Sequence, residues 1–212
     1  MGASPSTRAQ RPSPSPMQKF LFLLSTCAPA LPLLAQTDTL PYYEIAAYPD
    51  DYTSGNVIAR MIDALGFRYR HATEGLRPED LAYRPSEDAR SCYETLEHVY
   101  GLSEIILNAP QGDTMIRPED WSALTYPDLR RLTLDRLAKA SDLYRGMTAD
   151  DLRQQRVMFA YNGNYSEYPL WNMLNGPLAD AIYHTGQIVT FRRTTGNPSD
   201  GRVNVFRGRV ME

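Results

Sequence analysis

The sequence is poor in cysteine, in unbroken apolar runs and in positive charge, and each shortage removes a class of function. Two cysteines in 212 residues, Cys27 and Cys92, leave no disulfide framework once the expected leader described below is removed. No stretch of the later chain approaches the roughly 20 consecutive apolar residues of a bilayer-spanning helix, so no stable membrane span is expected. Twenty-two basic against 25 acidic side chains give a formal net charge of −3, so no whole-molecule field draws nucleic acid or anionic lipid. Repeats of solenoid length are missing, as is any alternation of strands with helices. What is present, 42% hydrophobic and 22% charged residues, is the composition of one soluble globular domain rather than of a disordered, collagenous or coiled-coil chain.

The charge is unevenly spread. Residues 1–36 hold Arg8, Arg11 and Lys19 and no acid, so the remainder carries −6. From Met17 the chain reads MQKFLFLLSTCAPALPLLAQ. Lys19 supplies a basic start, Phe20 to Leu34 a mainly apolar stretch interrupted by Pro29 and Pro32, and Leu33-Leu34-Ala35 a small-residue exit, which together read as a secretory signal. The Pro- and Ser-rich residues before it cannot bury a core, which makes Met17 the expected initiator. Segment 1–36 is therefore set aside as a removed extension and signal, and the protein is expected to be exported to the periplasm or exterior of a bacterial cell. A lipoprotein signal ending at Cys27 fits less well, because Thr26 suits that position poorly and the apolar run before it is short. Cys92, then the single thiol, has no histidine at adjacent helical spacing and reads as a buried small apolar residue.

Residues 37–52 are rich in Tyr and Pro, without period, and read as an extended lead-in. From Thr53 or Ser54, Val57, Met61, Leu65 and Tyr69, flanked by Ile58, Ile62 and Phe67, recur at helical spacing to about Glu74. Gly75 and Pro78 break this first helix, with a short helical turn expected over Glu79 to Leu81. Ser86 is the expected cap of a second helix, carrying Leu96, Val99, Leu102, Ile105 and Ile106 and ending at Asn108-Ala109-Pro110. Residues 110–126 read as loop, with an isolated Trp121. Leu129, Leu132, Leu134, Leu137, Leu143 and Tyr144 define a third helix that ends near Gly146. Segments 156–160 and 165–168, joined by Asn162-Gly163, predict a small β-hairpin. The fourth helix is expected from Pro169 to about Thr194, stopped by Gly196-Asn197-Pro198. The economical fold is all-α: a four-helix bundle over 53–198 with a small hairpin between helices three and four, followed by a tail, 199–212.

The chemistry-bearing residues lie on helices two and four. His98 falls on a line with Thr95, Leu102 and Ile105, which points its ring toward the core. Asp180 and His184, four apart, share one face of the last helix. A carboxylate buried there without compensation costs several kcal/mol, so it needs a cation, a hydrogen-bond donor or a protonated form, and a divalent metal satisfies this need. His98, Asp180 and His184 then form an open three-ligand set for a divalent metal. Such an ion lowers the pKa of a bound water or thiol toward neutrality. Zinc suits the nitrogen and oxygen donors, and nickel, manganese or iron fit the same set. The alternative from spacing alone is an intrahelical Asp180–His184 ion pair with His98 as a satisfied core histidine.

The stretches TLEHVYGLSEIILNA (95–109) and LNGPLADAIYHTGQIVTFRRTTGNP (174–198) resemble the DinB/YfiT-like superfamily of metal-dependent bundle proteins over about residues 53–198. The segment AIYHTGQIVTFRR is similar to that family's His-x-Gly-Gln-Ile signature on the last helix. The resemblance implies ligands from one histidine on the second helix and a His-x-x-x-His pair on the fourth. His98 and His184 match, while Asp180 stands where the first histidine of the pair is expected, which adds negative charge and favours a harder ion. It also implies either a metal-assisted hydrolase or a thiol-dependent transferase or isomerase. Export favours hydrolysis, because an oxidising compartment lacks a large reduced thiol pool. A non-catalytic binding module is the reading from another class, with Val203 to Phe206 packing across the bundle or pairing with a second subunit as a homodimer. Glu94 and Gln187 are expected to orient ligands or touch substrate, and Arg60 and Arg68 to bind a carboxylate of a small-molecule substrate at the pocket mouth. Arg192 and Arg193 are expected on the solvated end of the last helix, near its dipole.

Overall fold

A computed structural model of the chain describes residues 1–2 and 40–212. The expected leader, with Cys27, lies outside the described residues. The chain divides into units 1–37 and 38–212, and the fold described here is that of the second.

The helix starts are encoded in side chains. Thr53 Oγ1 accepts from the Asn56 N–H at 3.2 Å to open α1 (Ser54–Ala72), and α2 is the short helix Pro78–Ala82. At Ser91 the hydroxyl accepts from the Glu94 N–H while the Glu94 carboxylate accepts from the Ser91 N–H at 2.7 Å, opening α3 (Cys92–Gln111). The same reciprocal pair, Thr125 with Asp128 and Thr148 with Asp151, opens α4 (Tyr126–Tyr144) and α5 (Ala149–Gln154). The start of α3 corrects the expectation of a cap at Ser86. Three residues after Ser86 stands Ala89, which has no carboxylate to return the bond, whereas Ser91 has Glu94. Pro110 is inside α3 rather than after it.

Among the described residues four helices are long: α1, α3, α4 and α7 (Ala179–Thr194). Helix α4 packs on α1 and α3, and α7 packs on the same two helices. Their shared core takes Ile58, Ile62, Leu65 and Tyr69 from α1, Leu96, Val99 and Ile106 from α3, Leu129, Leu134 and Leu137 from α4, and Ala181 and Ile188 from α7. Val57 and Met61, expected on the α1 stripe, are exposed. The buried line runs one position later, through Ile58 and Ile62.

Residues 110–126 are not all loop. Thr114–Arg117 forms β1, which runs parallel to β2 (Arg156–Tyr161), and β2 pairs antiparallel with β3 (Asn164–Pro169). The connection between β2 and β3 is Asn162-Gly163, both at positive φ (47° and 81°), as a tight two-residue turn requires. Met115 and Val157 are buried on the side of the sheet that meets α3.

The last helix is interrupted where a continuous one was expected. Trp171–Met173 is a single turn, α6, followed by a π-helical stretch, Leu174–Leu178, that leads into α7. Pro177 lies within that stretch. Its ring would clash with the carbonyl four residues back in a regular α-helix, and the wider π turn relieves the clash.

The lead-in is held along α1 by its polar side chains. Arg70 donates to the carbonyls of Leu40 and Pro41, His71 Nε2 to that of Tyr43, and Arg60 to that of Ala46. In the tail, Val203–Asn204 pairs with Arg209–Val210 as a two-stranded ladder, β4 and β5, and Gly208 accepts from the Ile45 N–H. Arg192 contradicts the expectation of a solvated helix end. It is buried, and its guanidinium donates to the carbonyls of His71, Ala72 and Glu74 at the C-terminus of α1 and to Asn197. The last carbonyls of α1 have no partners in their own helix, and a cation placed there also meets the negative end of the helix dipole.

Candidate metal centre

Helix α3 presents His98 and helix α7 presents Asp180 and His184, and the contact between these helices brings the three side chains together. His98 Nε2 lies 3.1 Å from Asp180 Oδ2, and His184 Nε2 lies 3.3 Å from Asp180 Oδ1. One ligand atom from each residue lies within 4.8 Å of the others. The two imidazole rings meet edge to face, their centroids 4.6 Å apart. The π stretch ends immediately before this face begins and sets the rotation at which α7 offers Asp180 and His184.

The donor set fits a divalent ion. Two atoms bound to one zinc at about 2.0–2.1 Å stand roughly 3.3 Å apart in a tetrahedral site, and the two nitrogen–oxygen separations here are 3.1 and 3.3 Å. His184 Nδ1 lies 2.7 Å from Gln187 Oε1, and Gln187 Nε2 donates to the Tyr183 hydroxyl at 3.2 Å. With the amide oriented in this way, His184 carries its proton on Nδ1, which leaves the Nε2 lone pair toward Asp180. Burial lowers the pKa of His98, against a raising effect from its bond to Asp180, with Arg90 and His184 lowering it further. A neutral His98 has a lone pair to give.

The expected burial of Asp180 is not met. The Asp180 side chain is 42% exposed and His98 28%, so the carboxylate is not buried and does not demand a cation for that reason. The case for a metal rests on convergence of donor atoms. Asp180 stands at the rim, while His184, one turn further along the same face, is buried.

A cavity of about 660 Å³ opens beside His98, with Arg84, Arg90, Glu97, Glu119 and Trp121 among its walls. Glu94 also lines it but does not orient His98. Its carboxylate caps α3 and pairs with Arg84 at 2.9 Å. Arg60 and Arg68, expected at the mouth, do not line this cavity. Arg60 stacks on the Tyr48 ring, 4.6 Å from its centroid, and Arg68 lines a different cavity. The expected residues Gln187, His98, Asp180 and His184 are together, whereas Trp121, Arg90 and Tyr183 were missed. Trp121 had a signal in the sequence, at Gly101. A Cβ on Gly101 would stand 2.5 Å from Trp121 Cη2, so the indole is seated where α3, one turn past His98, has no side chain.

The described fold is similar to a solved structure, that of a DinB-like protein, YjoA, from Bacillus subtilis. The likeness has a TM-score of 0.50 at 16% sequence identity and covers 66% of this chain and 92% of that one. The chain thus has a DinB-like helical fold, and it carries a His-Asp-His group that can hold a metal ion. No protein-family model and no curated protein sequence matches it.

Proposed function

We propose that the protein is a divalent-metal-dependent hydrolase built on a DinB-like four-helix bundle, with His98, Asp180 and His184 holding the ion. The observation that supports this reading is the convergence of three ligand atoms from two helices within 4.8 Å. When bound, the ion supplies a Lewis acid and an activated water. The remaining work falls to side chains. Gln187 fixes the ring and tautomer of His184. Trp121 offers an apolar surface beside His98, and Arg90 offers positive charge to a polar group of a small-molecule substrate. Zinc suits the two imidazoles, and the carboxylate in place of a third favours a hard metal and hydrolysis over thiolate delivery. We propose export as well, by the signal ending near Ala35.

A second reading has a specific observation behind it. Asp180 already accepts from or pairs with both histidines, as it would in a non-catalytic module with a polar clasp between α3 and α7. Metal analysis together with ester and amide hydrolysis assays separates the two. Stoichiometric metal with hydrolysis that disappears in His184→Ala supports the enzyme. A metal-free protein that stays inert after reconstitution with zinc, nickel, manganese or iron supports the clasp. N-terminal sequencing of protein recovered outside the cytoplasm tests the leader, with a start near Gln36 expected.

A further inference from the structure

A second cavity, of about 540 Å³, lies between α1, α7 and the C-terminal tail. Along α7 it is lined by Ile182, Gly186, Val189 and Arg193, a stripe on a different face from the one that carries Asp180 and His184. Its volume is in the range of small-molecule sites. Ala72, Ile182, Val189, Val203 and Val205 give it apolar surface, and its polar lining is Arg68, Arg193, His71, Asp200 and Ser199, with Thr185 and Thr190, whose hydroxyls are spent on carbonyls of α7.

The charge balance there is positive. Arg68 spends one N–H on the Ala64 carbonyl at 3.1 Å and keeps the rest of its fork, and among the described residues the Arg193 guanidinium has no hydrogen bond or ion pair. Asp200 is the one carboxylate among the lining residues, and Arg202 neutralises it through both oxygens at 2.7 and 3.1 Å. His71, also in the wall, is buried, and that burial lowers its pKa. The wall also holds Ser199, whose Oγ is buried without a hydrogen-bond partner. A buried hydroxyl left without a partner carries a desolvation cost that a ligand acceptor removes.

We infer that this cavity is a binding site for a small monocarboxylate with an apolar body, its carboxylate held by Arg68 and Arg193 and its chain lying on Ile182, Val189, Val203 and Val205. Guanidinium groups match a carboxylate in charge and in planar geometry, and Ser199 Oγ supplies a further donor. The site is independent of the metal centre.

The test is calorimetric titration of the full chain with octanoate, with 1-octanol and octylammonium as ligands of the same length and different charge. Saturable one-to-one binding of octanoate is expected, at least tenfold tighter than octanol, with no binding of octylammonium. Arg193→Gln, a change at an exposed side chain without structural partners, is expected to weaken octanoate at least tenfold, and Arg68→Gln likewise, each with an unchanged circular dichroism spectrum. Octanoate affinity is expected to be the same with and without EDTA. Absence of saturable octanoate binding, equal binding of octylammonium, unchanged affinity in both arginine variants, or loss of binding in EDTA overturns the inference.

Discussion

His184 Nδ1 lies 2.7 Å from Gln187 Oε1, one helical turn along α7. The contact determines which nitrogen of the ring faces Asp180, because a proton held on Nδ1 by an amide oxygen leaves Nε2 as the donor to a metal. Gln187→Leu removes the acceptor and lets the ring change tautomer. Metal affinity is expected to fall by about 10- to 100-fold while helicity is retained, read by competition with a chromogenic chelator. Unchanged affinity would show that the amide does not orient the ring.

Asp80 ties the start of α2 to the end of α7. Its carboxylate accepts from the Arg77 N–H and guanidinium at 2.7–3.1 Å, from Asn197 Nδ2 at 2.6 Å, and from Thr195 Oγ1. The Arg77 hydrogen bonds, outweighing desolvation, hold its folded pKa well below the ordinary 3.8. A depressed folded value stabilises the protein above the unfolded pKa and loses that contribution as pH falls through the window beneath 3.8. Asp80→Asn is expected to cost about 2 kcal/mol at pH 7. In urea titrations the lead of the parent over the variant is expected to persist at pH 5 and to shrink below pH 3.8. A lead that is constant down to pH 2 would contradict the assignment.

Cys92 is fully buried at the start of α3, and burial pushes its thiol pKa up to about 12. The thiolate is the reactive form, so the native protein is expected to leave Ellman's reagent unreacted at pH 8 and to react at once in denaturant. Rapid labelling of the native state would place the thiol at the surface.

Arg192 is the buried cap of α1. Replacing it with Met keeps most of the volume but strands the carbonyls of His71, Ala72 and Glu74. The expected loss is about 3 kcal/mol, measured as a lower urea midpoint with unchanged slope. An unchanged midpoint would mean that water serves those carbonyls equally well.

The long helices were legible because apolar residues recur every three or four positions over four or five turns, a pattern that survives an error of one position such as that at Val57 and Met61. Strand β1 was not legible. Thr114 to Arg117 is too short to show a period, and its partner, Met158 to Tyr161, lies more than 40 residues away. The π stretch was hidden for a related reason, since only Gly176-Pro177 marks it and helical spacing continues on both sides. At the site, the i, i+4 spacing of Asp180 and His184 and the facing position of His98 could be read from the sequence. The exposure of Asp180 could not, since it depends on what the neighbouring elements cover at that level, which helical spacing does not reveal. Arg192 was misread because its burial comes from the end of α1, which sequence proximity does not reveal.

The proposed metal centre is one ion held by three side chains from two helices. Its most direct test is elemental analysis of the protein purified without chelator or tag histidines, beside Asp180→Ala and His98→Ala. Close to one divalent ion per chain is expected in the parent and none in either variant, with helical circular dichroism preserved in all three. Equal metal content in parent and variants, or none in the parent after reconstitution with zinc, nickel, manganese and iron, would contradict it.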